Sequence, residues 1–328
     1  MILFYIFKRL LLLIPTMVII SVISFIIMQA PPGDYIEAYM ATLLSTGETV
    51  DEEMIQSLRS VYGLDEPLYV QYWIWISNFV FGDFGASFEW NMKVSALIGD
   101  RLLLTIFISF ITIVFTWFIA LIIGFISAIW QYSFVDYFFT AIGFLGLAIP
   151  NFMLALILMY VSYKYFDVTV GGLFSPEYIN APWDINKFKD LLNHVWIPVI
   201  VIGTAGTAGL IRIMRANLLD EMRQAYVITG YAKGVNKWKV LIKYPLRIAI
   251  NPFISTIGWL LPAVISGDII VSVVLSLQTI GPLYLRALMA QDMYLAGAIL
   301  MFLAFLTIIG TLISDILLAV IDPRIKYE

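Results

Sequence analysis

Six stretches of this sequence run for about twenty residues or more with almost no charge, which leaves such a chain few ways to fold. A helix crosses the roughly 30 Å hydrocarbon core of a bilayer with about 20 mostly apolar residues. The stretches cover 9–29, 102–130, 137–164, 195–217, 250–275 and 295–320. The second and third exceed the minimum, so they tilt or extend beyond the hydrocarbon. Each run is continuous rather than alternating, which argues against a membrane barrel of strands. With 61% hydrophobic and 13% charged residues, too little polar surface exists to cover a soluble domain. The expected fold is an all-α polytopic membrane protein with six transmembrane helices.

The N-terminal run is expected to stay in the mature chain. Lys8 and Arg9 precede the apolar stretch 10–28, which exceeds the roughly 7–15 residues of a signal core. It ends at Ala30-Pro31-Pro32-Gly33-Asp34 without a small-x-small cleavage pattern. The chain divides into a first transmembrane helix at 1–30, an external segment at 31–100 and a five-helix core at 101–328.

Lys and Arg placement sets the orientation. Between Asp34 and Asp100 lie eleven acidic residues against Arg59 and Lys93 alone. From Arg212 to Arg247 the balance reverses, with eight basic residues facing only Asp220 and Glu221. Arg324 and Lys326 flank the other end, so both termini and the basic loop are expected in the cytoplasm. In the external segment, Asp51–Val61 reads as a helix with Met54, Ile55, Leu58 and Val61 on one face. Tyr72, Trp73, Trp75 and Phe79 form an aromatic set suited to lying near the headgroups.

Several chemistries are excluded. The chain has no cysteine, and His194 is its one histidine, so neither disulfides nor a histidine-rich metal site can form. No G-x-x-x-x-G-K-[ST] run offers backbone N–H groups to phosphates, so no nucleotide site and no enzymatic activity are expected. Gly203, Gly206 and Gly209 lie inside an apolar span, where close helix packing explains them. Nothing points to nucleic acid. Charges inside spans are expensive and mark pathways or pairs. Asp268 is the candidate for lining an aqueous pathway, and Asp315 is expected to pair with a basic residue of the loop. Pro150 and Pro262 are expected to kink their helices.

The loop at 218–245 has internal design. Leu218–Thr229 reads as a helix that should stop at Gly230 or Gly234, where glycine permits turns that other residues resist. Asn236 can cap a second helix with Trp238, Leu241 and Ile242 on one face and Lys237, Lys239 and Lys243 on the other. Pro245 ends it. Two short helices with a glycine elbow suit a knob that takes force from a soluble motor. The same residues also suit a solvated basic loop or an anionic-lipid patch.

The stretch from Glu221 through Met222, Arg223, Gln224, Ala225, Tyr226, Val227, Ile228, Thr229, Gly230, Tyr231, Ala232 and Lys233 to Gly234 resembles the EAA loop of ABC-importer permeases. It is most similar to the dipeptide, oligopeptide and nickel family, whose members depend on a binding protein. Tyr226, Thr229, Ala232, Lys233 and Gly234 keep that family's pattern, whereas Gly230 and Tyr231 stand where it favours Ala and Arg. Further landmarks follow in order: Pro32-Gly33-Asp34, Gly63-Leu64-Asp65, Gly82-Asp83-Phe84-Gly85, Arg101, Ile149-Pro150-Asn151-Phe152, Arg212, Arg215 and Asp322-Pro323-Arg324. Ser272–Ile280 lacks the glutamate and Pro-Gly pair common there. The resemblance implies a first-permease (B-type) subunit of an ATP-driven importer, multi-pass in the prokaryotic inner membrane. It implies a homologous second permease, an external substrate-binding protein and two cytoplasmic ATPases that bind ATP and Mg. The docking residues would be Glu221, Ala225, Tyr226, Thr229, Ala232, Lys233 and Gly234, and the cargo peptides, with oligosaccharides or nickel chelates as alternatives. A stand-alone ion-coupled transporter would require internal repeats and midplane carboxylates, and neither is evident.

Overall fold

The computed structural model describes residues 2–30, 36, 40, 56, 59–60, 63, 65–87, 89–166, 171–256 and 269–321. Helix α1 spans Ile2–Gln29, α2 Leu68–Val80, and a hairpin pairs β1 (Ala86–Ser87) with β2 (Met92–Lys93). Next come α3 (Val94–Ile129), α4 (Phe134–Ala148), α5 (Asn151–Phe166) and the 38-residue α6 (Ile185–Met222). Short helices α7 (Ala225–Ala232), α8 (Lys237–Lys243) and α9 (Pro245–Ala249) precede α10 (Ile269–Val274), α11 (Ile280–Met289) and α12 (Met293–Ile321). The all-α polytopic membrane fold expected from the sequence is the fold observed.

Among the described residues, Ile6–Gln29, Val94–Ile129 and Met293–Leu318 are single helices long and apolar enough to cross a membrane. These match the expected first, second and sixth spans. The third expected span is broken rather than kinked: α4 and α5 meet at 102°. Pro150 explains this, because it has no N–H to continue the ladder and drives the preceding residue out of the helical region. Ile149 accordingly takes φ −84°, ψ 120°. The 15 residues of α4 rise only about 22 Å at 1.5 Å each, too short to cross alone. The fourth expected span also bends, by 54° between Ile185–Thr204 and Gly206–Met222. The fifth expected span includes residues 257–268, so Pro262 and Asp268 lie outside the described residues, as do most of Asp51–Val61 and Asp322-Pro323-Arg324.

Contacts gather the chain into two compact units. One comprises Leu10–Leu104 and Thr279–Phe305, the other Met1–Arg9, Thr105–Gln278 and Leu306–Glu328. In the first, Trp75 is 2% exposed and packs with Phe25, Phe79 and the start of α12. Gly297 makes room for it, since a Cβ there would meet the indole at 2.8 Å. The expected aromatic set near the headgroups therefore divides. Trp73 faces outward, while Trp75 goes inward because the helical period places it half a turn from Trp73. Asp292, fully buried, begins α12 by accepting from the Leu295 N–H at 3.1 Å. It also accepts from the Glu89 N–H at 3.2 Å and from the Ser87 hydroxyl, which fastens the hairpin.

In the second unit, α3 and α6 pack around Ala120, Leu210, Met214, Leu218 and Phe253. A Cβ on Gly124 would strike the Met214 side chain at 2.6 Å, so the close helix approach requires glycine there. The Ser314 hydroxyl donates to the Ile254 carbonyl at 2.7 Å. Ser314→Ala is expected to cost about 0.6 kcal/mol, the usual value of a hydrogen bond between membrane helices, measurable as a small fall in thermal midpoint in detergent. Asp315, expected to pair with the basic loop, instead meets Arg9 at 2.9 Å. The pairing follows from helix ends: Arg9 lies near the start of α1 and Asp315 near the end of α12.

Candidate coupling loop

The loop begins where α6 stops. The last turn tightens, with the N–H groups of Arg223 and Gln224 donating to Asp220 and Glu221 carbonyls at 3.3 and 3.2 Å. Gln224 then adopts extended backbone (φ −71°, ψ 145°) and its carbonyl receives the Val227 and Ile228 N–H groups, starting α7. The continuous helix expected over Leu218–Thr229 is thus interrupted at Arg223-Gln224. A continuous helix would set Val227 about 180° round from Leu218 at 3.6 residues per turn, yet both are fully buried. The break lets both be covered. Across it, the Tyr226 hydroxyl donates to the Glu221 carboxylate.

The two glycines have different jobs. Gly230 lies within α7 and does not end it; a Cβ there would press on both Val240 methyls at 3.3 Å, so it admits α8. Gly234 makes the turn at φ +73°, a left-handed conformation that side-chain-bearing residues resist. Its N–H donates to the Tyr231 carbonyl at 2.9 Å, and the Val235 N–H to Gly230 at 3.3 Å. Asn236 caps α8 as expected, accepting the Trp238 N–H at 2.9 Å. Pro245 opens α9 at its first turn, where its missing N–H costs nothing.

The expected apolar face of α8 divides. Val240 and Leu241 are buried, whereas Trp238 and Ile242 are 50% and 58% exposed. Ile228 on α7 is 58% exposed. Val240 faces Gly230 of α7, and Trp238 and Ile242 are left exposed. Ala225, Thr229, Ala232 and Lys233 fall at near-helical intervals and are exposed, as are Tyr226 and Gly234, while Glu221 is half-buried. The Thr229 hydroxyl is turned back onto the Ala225 carbonyl at 2.8 Å. Beside these lie the exposed lysines 237, 239 and 243. An apolar patch interleaved with cations is suited to another protein surface.

Residues 120–327 match the family described as "Binding-protein-dependent transport system inner membrane component". Residues 1–109 match the N-terminal membrane component of the same systems. The chain belongs to the binding-protein-dependent transport permease family. It is 37% identical over 325 residues to the "Oligopeptide transport system permease protein AppB" of Bacillus subtilis (strain 168), covering 98% of this chain and 99% of that one. It is 31% identical over 324 residues to the "Glutathione transport system permease protein GsiC" of Escherichia coli (strain K12), covering 99% of each. The resemblance to ABC-importer permeases read from the residues therefore extends along the whole chain. This permease is an integral membrane component of a transport system, and the loop at 218–245 lies wholly within the larger family match.

Two residues that organise the same unit and the hairpin escaped the sequence reading. Asp136 accepts Arg215 Nε at 2.9 Å and Nη2 at 2.8 Å, a bidentate pair with the carboxylate almost fully buried. Ser133 followed three residues later by Asp136 is a capping signal, and it was available in the sequence. Asp292 has no such signature upstream of α12 beyond its own residue type.

Proposed function

We propose that this permease forms half of the translocation pathway of an ATP-driven importer for peptides, set in the prokaryotic inner membrane with both termini in the cytoplasm. It pairs with a homologous second permease, receives solute from an external binding protein, and is driven by two cytoplasmic ATPases that hold ATP and Mg. In this reading, residues 1–30 form the first crossing, 31–100 an external layer and 101–328 the core. Asp268 is the candidate pathway-lining carboxylate.

The observation that carries the reading is the glycine-turned pair α7–α8 at the end of α6, with Ile228, Trp238 and Ile242 exposed among lysines. The Arg9–Asp315 contact supports an even number of crossings, because it brings the start of the first span to the end of the last. The names of AppB and GsiC support peptides as cargo. Motor work can move the permease only if the ATPases bind its inward and outward states unequally.

The test is uptake of labelled short peptides into proteoliposomes holding the complete importer. Uptake is expected to require enclosed ATP and the binding protein, and to persist with an uncoupler present. Peptide uptake that ran without ATP and collapsed with the uncoupler would overturn the reading.

A further inference from the structure

A motor acting on α7–α8 can open a pathway only if its displacement reaches helices beyond the loop. Helix α6 is the first carrier, because only Arg223 and Gln224 separate it from α7. Helix α4 lies antiparallel along the same stretch of α6. Gly146 faces Thr204, where a Cβ would come within 2.8 Å of Cγ2, and Gly143 faces Ala208. The Arg212 guanidinium stands 5.9 Å over the Phe144 ring. At the end nearest the loop, Asp136 and Arg215 close the row.

These contacts differ in kind. Small-residue contacts allow close approach, but each is weak and undirected, so they resist sliding poorly. A guanidinium fork on a carboxylate fixes distance and orientation together. Asp136 is also tied into its own helix start: it accepts the Tyr132 N–H at 2.9 Å, and its own N–H donates to the Ser133 hydroxyl at 3.3 Å. Tyr132 holds φ +60° at that corner. The carboxylate thus grips the corner of α4 with one set of contacts and α6 with the other.

We propose that the Asp136–Arg215 pair is the joint that passes movement of the coupling loop into α4 and, through the elbow at Pro150, into α5. Asp136 and Arg215 are positioning residues for transport. The proposal rests on the reading that ATPases engage the loop, and the experiment separates failure of one from failure of the other.

The chain has no cysteine, so single reporters can be introduced cleanly. Lys239→Cys reports on α8 and Tyr165→Cys on the end of α5, each followed by thiol-labelling rate in the assembled importer with and without ATP plus vanadate. In the parent, nucleotide is expected to change the rate at both positions. With Asp136→Asn, the change at 239 is retained, while that at 165 shrinks by about tenfold, within the usual range of coupling between sites. Arg215→Lys, which keeps the charge but not the fork, is expected to show the same split and carries the comparison if Asp136→Asn fails to assemble. The exchange Asp136→Arg with Arg215→Asp should restore part of the response at 165, which a loss of general stability would not explain. An undiminished response at 165 in both Asp136→Asn and Arg215→Lys would overturn the joint. A parent with no nucleotide response at 239 would instead overturn the loop-docking reading.

Discussion

Gly234→Pro is expected to abolish uptake while leaving the permease inserted in the membrane. Proline fixes φ near −65°, whereas position 234 holds φ +73°, so the turn between α7 and α8 cannot form. Proline also removes the N–H that Gly234 donates to Tyr231. No atom lies within 4 Å of a Cβ placed there, so no side-chain clash adds to the lost turn and hydrogen bond. The loop sits outside the apolar runs, and insertion should therefore be untouched. Gly234→Ala provides a graded control, costing about 1–2 kcal/mol for one L-residue in the left-handed region, with partial loss of uptake. Glu221→Lys should also fail, since it loses the acceptor for the Tyr226 hydroxyl across the Arg223-Gln224 break. Peptide uptake and membrane fractionation decide the matter; full uptake by Gly234→Pro would exclude α7–α8 as the driven element.

Asp292→Leu is expected to be the most damaging change to stability. The carboxylate is fully buried and accepts from the Ser87 hydroxyl, the Glu89 N–H and the Leu295 N–H. Leucine leaves the buried Ser87 hydroxyl and Leu295 N–H without that acceptor. The cost should be about 2–6 kcal/mol, at about 1–3 kcal/mol for each buried donor left without an acceptor. Asp292→Asn keeps one acceptor oxygen and should lose less than half as much. The measurement is thermal unfolding of the purified chain in detergent, together with protease sensitivity of residues 82–93. Equal midpoints for Asp292→Leu and the parent would show that the hairpin is fastened elsewhere.

The apolar runs were enough to place α1, α3 and α12, because an uninterrupted run of that length has a single solution in lipid. Pro150 was legible as a disturbance but not as a 102° break, since the same residue produces kinks when neighbouring helices re-satisfy the freed carbonyl. The interruption at Arg223-Gln224 had no glycine or proline to announce it. It follows from the separate burial of Leu218 and Val227, which is a tertiary demand. Asn236 was legible as a cap because capping is local. Gly230 and Gly234 could not be told apart in sequence: one is set by a neighbour ten residues on, Val240, the other by its own φ. The outward side of α8 was misjudged for the same reason, as the helical period groups residues without saying which group meets α7.

The contact between Arg9 and Asp315 also bears on how the chain is made. The residue supplying the cation is translated long before its partner. Helix α1 thus receives this fastening only after α12 has been made. A chain broken off before Asp315 would lack that clasp.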